Sequence, residues 1–227
     1  MEYVDILKIS LTETELLKAV DHAKEEHFLN NLRERNEFVA FDSKVRGYIG
    51  EIFLKNLLEK GGVKILGIDY TVDGGETDID IQILRRYKKT TIECKTSLIP
   101  DVYGTLQTCI KKCDIKIIRR EKHYSYIPID IHVQIYFNEL RKIRDNRISA
   151  INGSVNDYTS KELVNLLGLK ELDGYFVAWM DKMSLSNYLD NLQMYERVWK
   201  FGYRQFWKCP LKISKKPSDL ISYCIEE

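Results

Sequence analysis

At 227 residues the chain suits one large domain, or a core with an extension, and can bury a substantial core. Its 44% apolar and 30% charged composition is that of a soluble globule, and a net charge of +1 gives no global argument for a polyanionic partner, so only local basic surfaces remain to attract one. No apolar run approaches membrane-spanning length, and Met1-Glu2-Tyr3-Val4-Asp5 does not open a signal peptide, so a cytoplasmic protein with no membrane partner is expected. Five cysteines, with Cys109 and Cys113 at the wrong spacing for a zinc pair and no histidine pair nearby, read as reduced thiols.

Thr12-Glu13-Thr14-Glu15 forms a capping box, and Leu16, Leu17, Val20, Ala23, His27 and Leu32 then trace an amphipathic helix to about Arg35. A second helix is expected from about Lys44 to Lys60, stopped by Gly61-Gly62. Val63 to Ile68 reads as a short strand and Asp73-Gly74-Gly75 as a turn. Two segments of period-two alternation follow, Thr77 to Ile83 and Thr91 to Thr96, joined by polar Arg85-Arg86-Tyr87-Lys88 in an antiparallel hairpin. The pattern returns to helix from about Val102 to Arg119 and to strand from Ile127 to Phe137; polar Asn138 to Asn156 shows no element. Thr159-Ser160-Lys161-Glu162 caps a helix ending at Gly168, and Gly174 to Trp179 is strand-like. The tail alternates short helices and strands, with its tryptophans and phenylalanines, Trp199, Phe201, Phe206 and Trp207, expected in a core rather than as a base-stacking platform. This order makes α/β layers around a mixed sheet, with no internal repeat or clear linker.

The hairpin carries the chemistry. With Arg85 opposite Lys88, Asp80 lies opposite Glu93 and Asp78 opposite Lys95, all four on one face, while Ile79, Ile81, Ile83, Ile92 and Cys94 fill the other. Two or three carboxylates beside one lysine repel strongly unless a divalent cation sits among them, and hard oxygen ligands suit magnesium. An aspartate on one strand followed by Glu93-Cys94-Lys95 on the next resembles the signature of the PD-(D/E)xK nucleases over roughly Ser43 to Lys112. A helix carrying Gly50-Glu51 precedes it, as in many members. The order of helix, three-stranded meander, helix and further strand is also similar to that family's core.

The resemblance implies a restriction-endonuclease-like core, a central mixed β-sheet flanked by helices, at about 43–137 of a single nuclease domain spanning 1–227. An N-terminal helical extension would cover about 1–36 and a C-terminal α/β extension about 158–227. It further implies that Glu93 and Asp80 or Asp78 hold Mg2+, with Mn2+ able to substitute and the Cys94 carbonyl as a further ligand. Lys95 would stand beside the attacking water and stabilise charge in the transition state. The register favours Asp80 over Asp78, a preference that a two-residue slip would reverse. Glu51 either reaches the metal or pairs with Lys55. Thr96 and Ser97 are placed to bind phosphate, and Gln107 either contacts DNA or only solvates its helix.

The activity implied is magnesium-dependent cleavage of double-stranded DNA, most like a type II restriction endonuclease acting as a homodimer on palindromic sites. A repair or junction-resolving nuclease of the same fold and a non-catalytic DNA-binding module are the rivals. For Glu93 and Lys95 the plain alternative is a solvated face of ion pairs. Local basic surface is expected at Arg85, Arg86, Lys88 and Lys89, and again at Lys111, Lys112, Lys116, Arg119, Arg120 and Lys122. The histidines His22, His27, His123 and His132 form no constellation.

Overall fold

The computed structural model describes residues 2–26, 36–68 and 79–225. Strand β1 (Leu7–Lys8) leads into helices α1 (Glu13–Glu26) and α2 (Glu37–Lys60). Thr12 opens α1 with the expected reciprocal cap: its hydroxyl accepts from the Glu15 N–H, and the Glu15 carboxylate accepts from the Thr12 N–H. The expected run of this helix through 27–35 lies outside the described residues, as does the turn expected at Asp73-Gly74-Gly75. Helix α2 starts at Glu37 rather than near Lys44 because the Asn36 side chain caps it, accepting from the Val39 N–H at 3.2 Å, and because Phe38 and Phe41 extend its buried stripe. Gly62, at φ +79°, ends it as expected.

The chain continues through β2 (Ile65–Ile68), β3 (Ile81–Arg85), β4 (Lys88–Ile99), α3 (Leu106–Lys112), β5 (Ile117–Ile118), β6 (Ile131–Leu140) and α4 (Arg141–Ser149). It ends with α5 (Ser160–Leu166), β7 (Gly174–Asp181), α6 (Lys182–Asp190), β8 (Val198–Phe201), β9 (Arg204–Trp207) and α7 (Asp219–Ile225). The main sheet has the order β1-β7-β6-β4-β3-β2, with β4 parallel to β6 and its other pairs antiparallel. The fold is therefore α/β, with a mixed central sheet flanked by helices. Among the described residues no helix is long and apolar enough to cross a membrane.

Both faces of the sheet are covered. On one, Val45, Ile49 and Leu54 of α2 pack on Ile81, Ile92, Val133 and Ile135. On the other, Ile110, Ile117, Leu185 and Trp207 pack on Tyr136, Val177 and Met180. The strand β6 is consequently buried without a break from Ile131 to Phe137. Gly50 sets the closeness of α2 to β4, since a Cβ there would stand 2.6 Å from Thr96 Cγ2.

Two stretches differ from their expected form. The helix expected over 102–119 shrinks to α3 because Thr105 caps it late and Cys113 ends it. The isoleucines beyond leave it to pair with the C-terminal strand, Ile117 with Trp207 and Ile118 with Phe206. Local periodicity carries no trace of so distant a partner. Helix α4, in turn, occupies a stretch read as polar because one of its two buried positions is an arginine, Arg144, beside Ile148. Arg144 is fully buried and donates to Asp42 at 2.5 Å and Glu139 at 2.6 Å, while Arg46 reaches the same Asp42 at 2.9 Å.

The tip between β3 and β4 places Arg86 at φ 48° and Tyr87 at φ 59°, and both side chains are exposed. A side chain in this left-handed region costs about 1–2 kcal/mol that glycine avoids. Tyr87→Gly is accordingly expected to raise the melting temperature, by the equivalent of about 1 kcal/mol. An unchanged or lower melting point would mean that this turn has another conformation.

Candidate active site

Strands β3 and β4 pair in the expected register from Arg85 opposite Lys88 to Ile81 opposite Ile92, and the paired residues end there, short of the expected pairing of Asp80 with Glu93. The ladder changes there. The Asp80 N–H donates to the Ile92 carbonyl at 3.0 Å, and the Asp80 carboxylate accepts the Cys94 N–H at 2.5 Å. A charged side chain thus takes a bond that a strand carbonyl would otherwise accept.

Glu93 and Lys95 share a face, as side chains two apart on a strand must, and Lys95 Nζ stands 2.8 Å from Glu93 Oε1. That face is not solvated, for Glu93 is only 2% exposed. The parallel strand β6 sets His132 opposite it, with Nδ1 at 2.8 Å from Glu93 Oε2. Burial pushes the Glu93 pKa up, but the charges and hydrogen bonds of Lys95 and His132 outweigh it and hold the carboxyl down to about 2. Glu93 is therefore ionised at neutral pH. Gln134, also fully buried, donates from Nε2 to the Lys95 carbonyl at 3.0 Å and to Ser97 Oγ at 3.1 Å, which fixes the backbone under the lysine.

Cys94 faces the opposite way, into the core beneath α2 with Ile81 and Ile92. Its thiol is pushed up first by burial and then by the negative charges of Asp80, Glu51 and Glu93, with Lys95 opposing. The charges of Asp80, Glu51, Glu93 and Lys95 are thus all felt at the Cys94 thiol. Lys55, the plain partner considered for Glu51, instead meets Glu59 at 3.8 Å.

The remaining candidates are dispersed. Asp78 lies outside the described residues. Thr96 abuts Gly50 on the α2 side, whereas Ser97 is buried on the Glu93 side with its hydroxyl engaged by Gln134, so the two do not form one phosphate cradle. Gln107 is exposed near the start of α3. Sequence reasoning assigns no role to His132 or Gln134. The alternation Ile131-His132-Val133-Gln134-Ile135 places both on one face, yet only the parallel register of β6 on β4 selects Glu93 as the partner. His132 Nε2 is buried without a hydrogen-bond partner among the described residues, and His132 and Glu93 help to line a cavity of about 30 Å³, enough for one water.

Among the described residues no three His, Cys, Asp or Glu side chains stand close enough to hold one ion together. Magnesium does not need such a cage, because it commonly takes one or two carboxylates and completes its shell with water and substrate phosphates. The ionised Glu93, and Asp80 whose carboxylate meets the Cys94 N–H, offer hard oxygens, a donor type whose chemistry fits magnesium. Comparisons with protein-family models, curated proteins and solved structures find no match. The site stands on its own geometry.

Proposed function

We propose that this protein is a magnesium-dependent endonuclease of the PD-(D/E)xK type acting on double-stranded DNA, most like a site-specific type II restriction enzyme working as a homodimer. The observation that carries the reading is the Glu93–Lys95 pair at 2.8 Å on β4, with the Asp80 carboxylate on the N–H of the intervening Cys94 at 2.5 Å. The order of α2, the meander β2-β3-β4, α3 and then β6 parallel to β4 also accords with the core of that family.

In this reading Asp80, Glu93 and the Cys94 carbonyl hold the ion, and Glu51 adds negative charge from α2. Magnesium supplies Lewis acidity toward the scissile phosphate and its attacking water. Lys95 donates toward the water and the phosphoryl oxygens, where negative charge develops. His132 and Lys95 keep Glu93 ionised and oriented, and Gln134 holds the Lys95 backbone still.

Digestion of plasmid DNA is expected to require magnesium or manganese, while calcium supports binding without cleavage because it is larger and activates water poorly. Equal cleavage in EDTA would sink the proposal. A second reading draws on the saturation of Glu93, whose two oxygens already meet Lys95 and His132. If those contacts are purely structural, the chain is a DNA-binding module, and it will bind DNA with no cleavage in any divalent metal.

A further inference from the structure

The C-terminal ribbon of β8 and β9 is anchored at its root and bare at its tip. Phe206 and Trp207 are buried, and Trp199 stacks on Phe206 with ring centroids 4.6 Å apart. Phe201 and Tyr203, by contrast, are 60% and 108% exposed around a turn in which Gly202 takes φ +58°. Two large aromatic side chains held out in water by a firmly packed hairpin need an explanation.

Charge supplies one. Between Arg197 and Ser218 the chain carries no Asp or Glu. Lys208, Lys215 and Lys216 in this stretch pair with Asp114, Asp181 and Asp5, but Lys200 and Arg204, which flank the tip, meet no carboxylate among the described residues. The Arg141 guanidinium lies 5.9 Å from the Phe201 ring. Arg141 and Arg46 in turn crowd Lys116, whose ammonium is pushed down to about 8 by burial first and then by those like charges. The Lys116 N–H bonds Gln134 Oε1 at 3.2 Å, and Gln134 holds the Lys95 carbonyl at 3.0 Å. Positive charge without a carboxylate partner is thus concentrated at the hairpin tip, on Lys200 and Arg204, while Arg141, Arg46 and Lys95 behind it pair with Asp145, Asp42 and Glu93.

We propose that the β8-β9 ribbon enters the major groove of duplex DNA, with Phe201 and Tyr203 against base edges and Lys200, Arg204 and Arg141 on the flanking phosphates. That groove, about 12 Å wide, admits a two-stranded ribbon, whereas the deep, narrow major groove of duplex RNA does not. The inference rests on the nuclease reading and names the element by which that site holds its substrate.

The test is binding of the full chain to a labelled DNA duplex in calcium, followed by fluorescence anisotropy across a salt series. The double variant Lys200→Ala, Arg204→Ala is expected to bind more weakly and to reduce the slope of log K against log salt by about 2, near 0.9 per lost phosphate contact. Tyr203→Ala is expected to weaken binding roughly fivefold or more with the slope unchanged. A duplex RNA of the same sequence should compete poorly. Lys200 and Tyr203 are exposed and Arg204 is half-buried without a carboxylate partner among the described residues, so melting curves should lie close to that of the parent. Parent-like affinity and slope in both variants would overturn the inference, and so would a change in oligomeric state with DNA binding intact, which would make the tip a protein interface. Cleavage by the parent alongside unaffected binding in the variants sinks the ribbon alone; a parent that neither binds nor cleaves sinks the nuclease reading with it.

Discussion

Lys95→Ala is expected to abolish DNA cleavage while leaving calcium-supported DNA binding and most of the fold in place. The reason is a difference between states. A lysine beside the attacking water and phosphoryl oxygens acts chiefly where charge has developed, so its loss raises the barrier far more than it weakens ground-state binding. Lys95 also pairs with Glu93 at 2.8 Å, but Glu93 keeps His132 at 2.8 Å, so removing the ammonium does not leave a buried carboxylate alone. The side chain of Lys95 is itself 24% exposed, which limits the packing lost. A modest fall in melting temperature should accompany the loss of turnover. A purely structural lysine would give the opposite pattern, with activity falling only in proportion to folded protein. Activity per folded molecule, read beside a melting curve and a calcium binding isotherm, separates the two; retained turnover would remove the central residue of the proposed mechanism.

How much of this site is legible in the sequence depends on which contacts are local. The β3-β4 register follows from alternation and a short polar connection, both contained within about twenty residues, so Glu93 and Lys95 on one face and Cys94 on the other could be read directly. The behaviour of Asp80 could not. Alternation puts its side chain on the Glu93 face, but the ladder ends at that residue and the carboxylate turns to the Cys94 N–H. His132 and Gln134 escape sequence reasoning for a similar reason: parallel pairing leaves no turn to fix its register, and their partners on β4 lie across a crossover. The aromatic tail divides according to distant packing, with Phe206 and Trp207 buried against β5 and Phe201 and Tyr203 left outside. Helix α4 is obscured by its own chemistry, since a buried arginine reads as a solvent-facing one until its partner on α2 is known.

That arginine is the basis of the largest expected effect on stability. Asp42 accepts from Arg144 at 2.5 Å and from Arg46 at 2.9 Å, with Asp42 and Arg144 almost wholly enclosed between α2 and α4. Burial pushes the Asp42 pKa up, but the two guanidinium groups outweigh it and hold the carboxyl below its ordinary value. Asp42→Ala leaves two guanidinium groups in a dry site without their shared counter-ion, and losing one partner of a buried pair costs about 3–5 kcal/mol. This is a large part of the roughly 5–15 kcal/mol by which a domain is stable. The sign of the pH dependence follows from the depressed pKa. The contribution of Asp42 is fully present above its unfolded value, near 3.9, and is lost as pH falls through that value toward the lower folded one. Denaturant unfolding of the parent and of Asp42→Ala should therefore differ most at neutral pH and converge in acid. A gap below about 1 kcal/mol at pH 7, or one that stays constant as pH falls below about 4, would show that the buried pair does not hold α4 on α2.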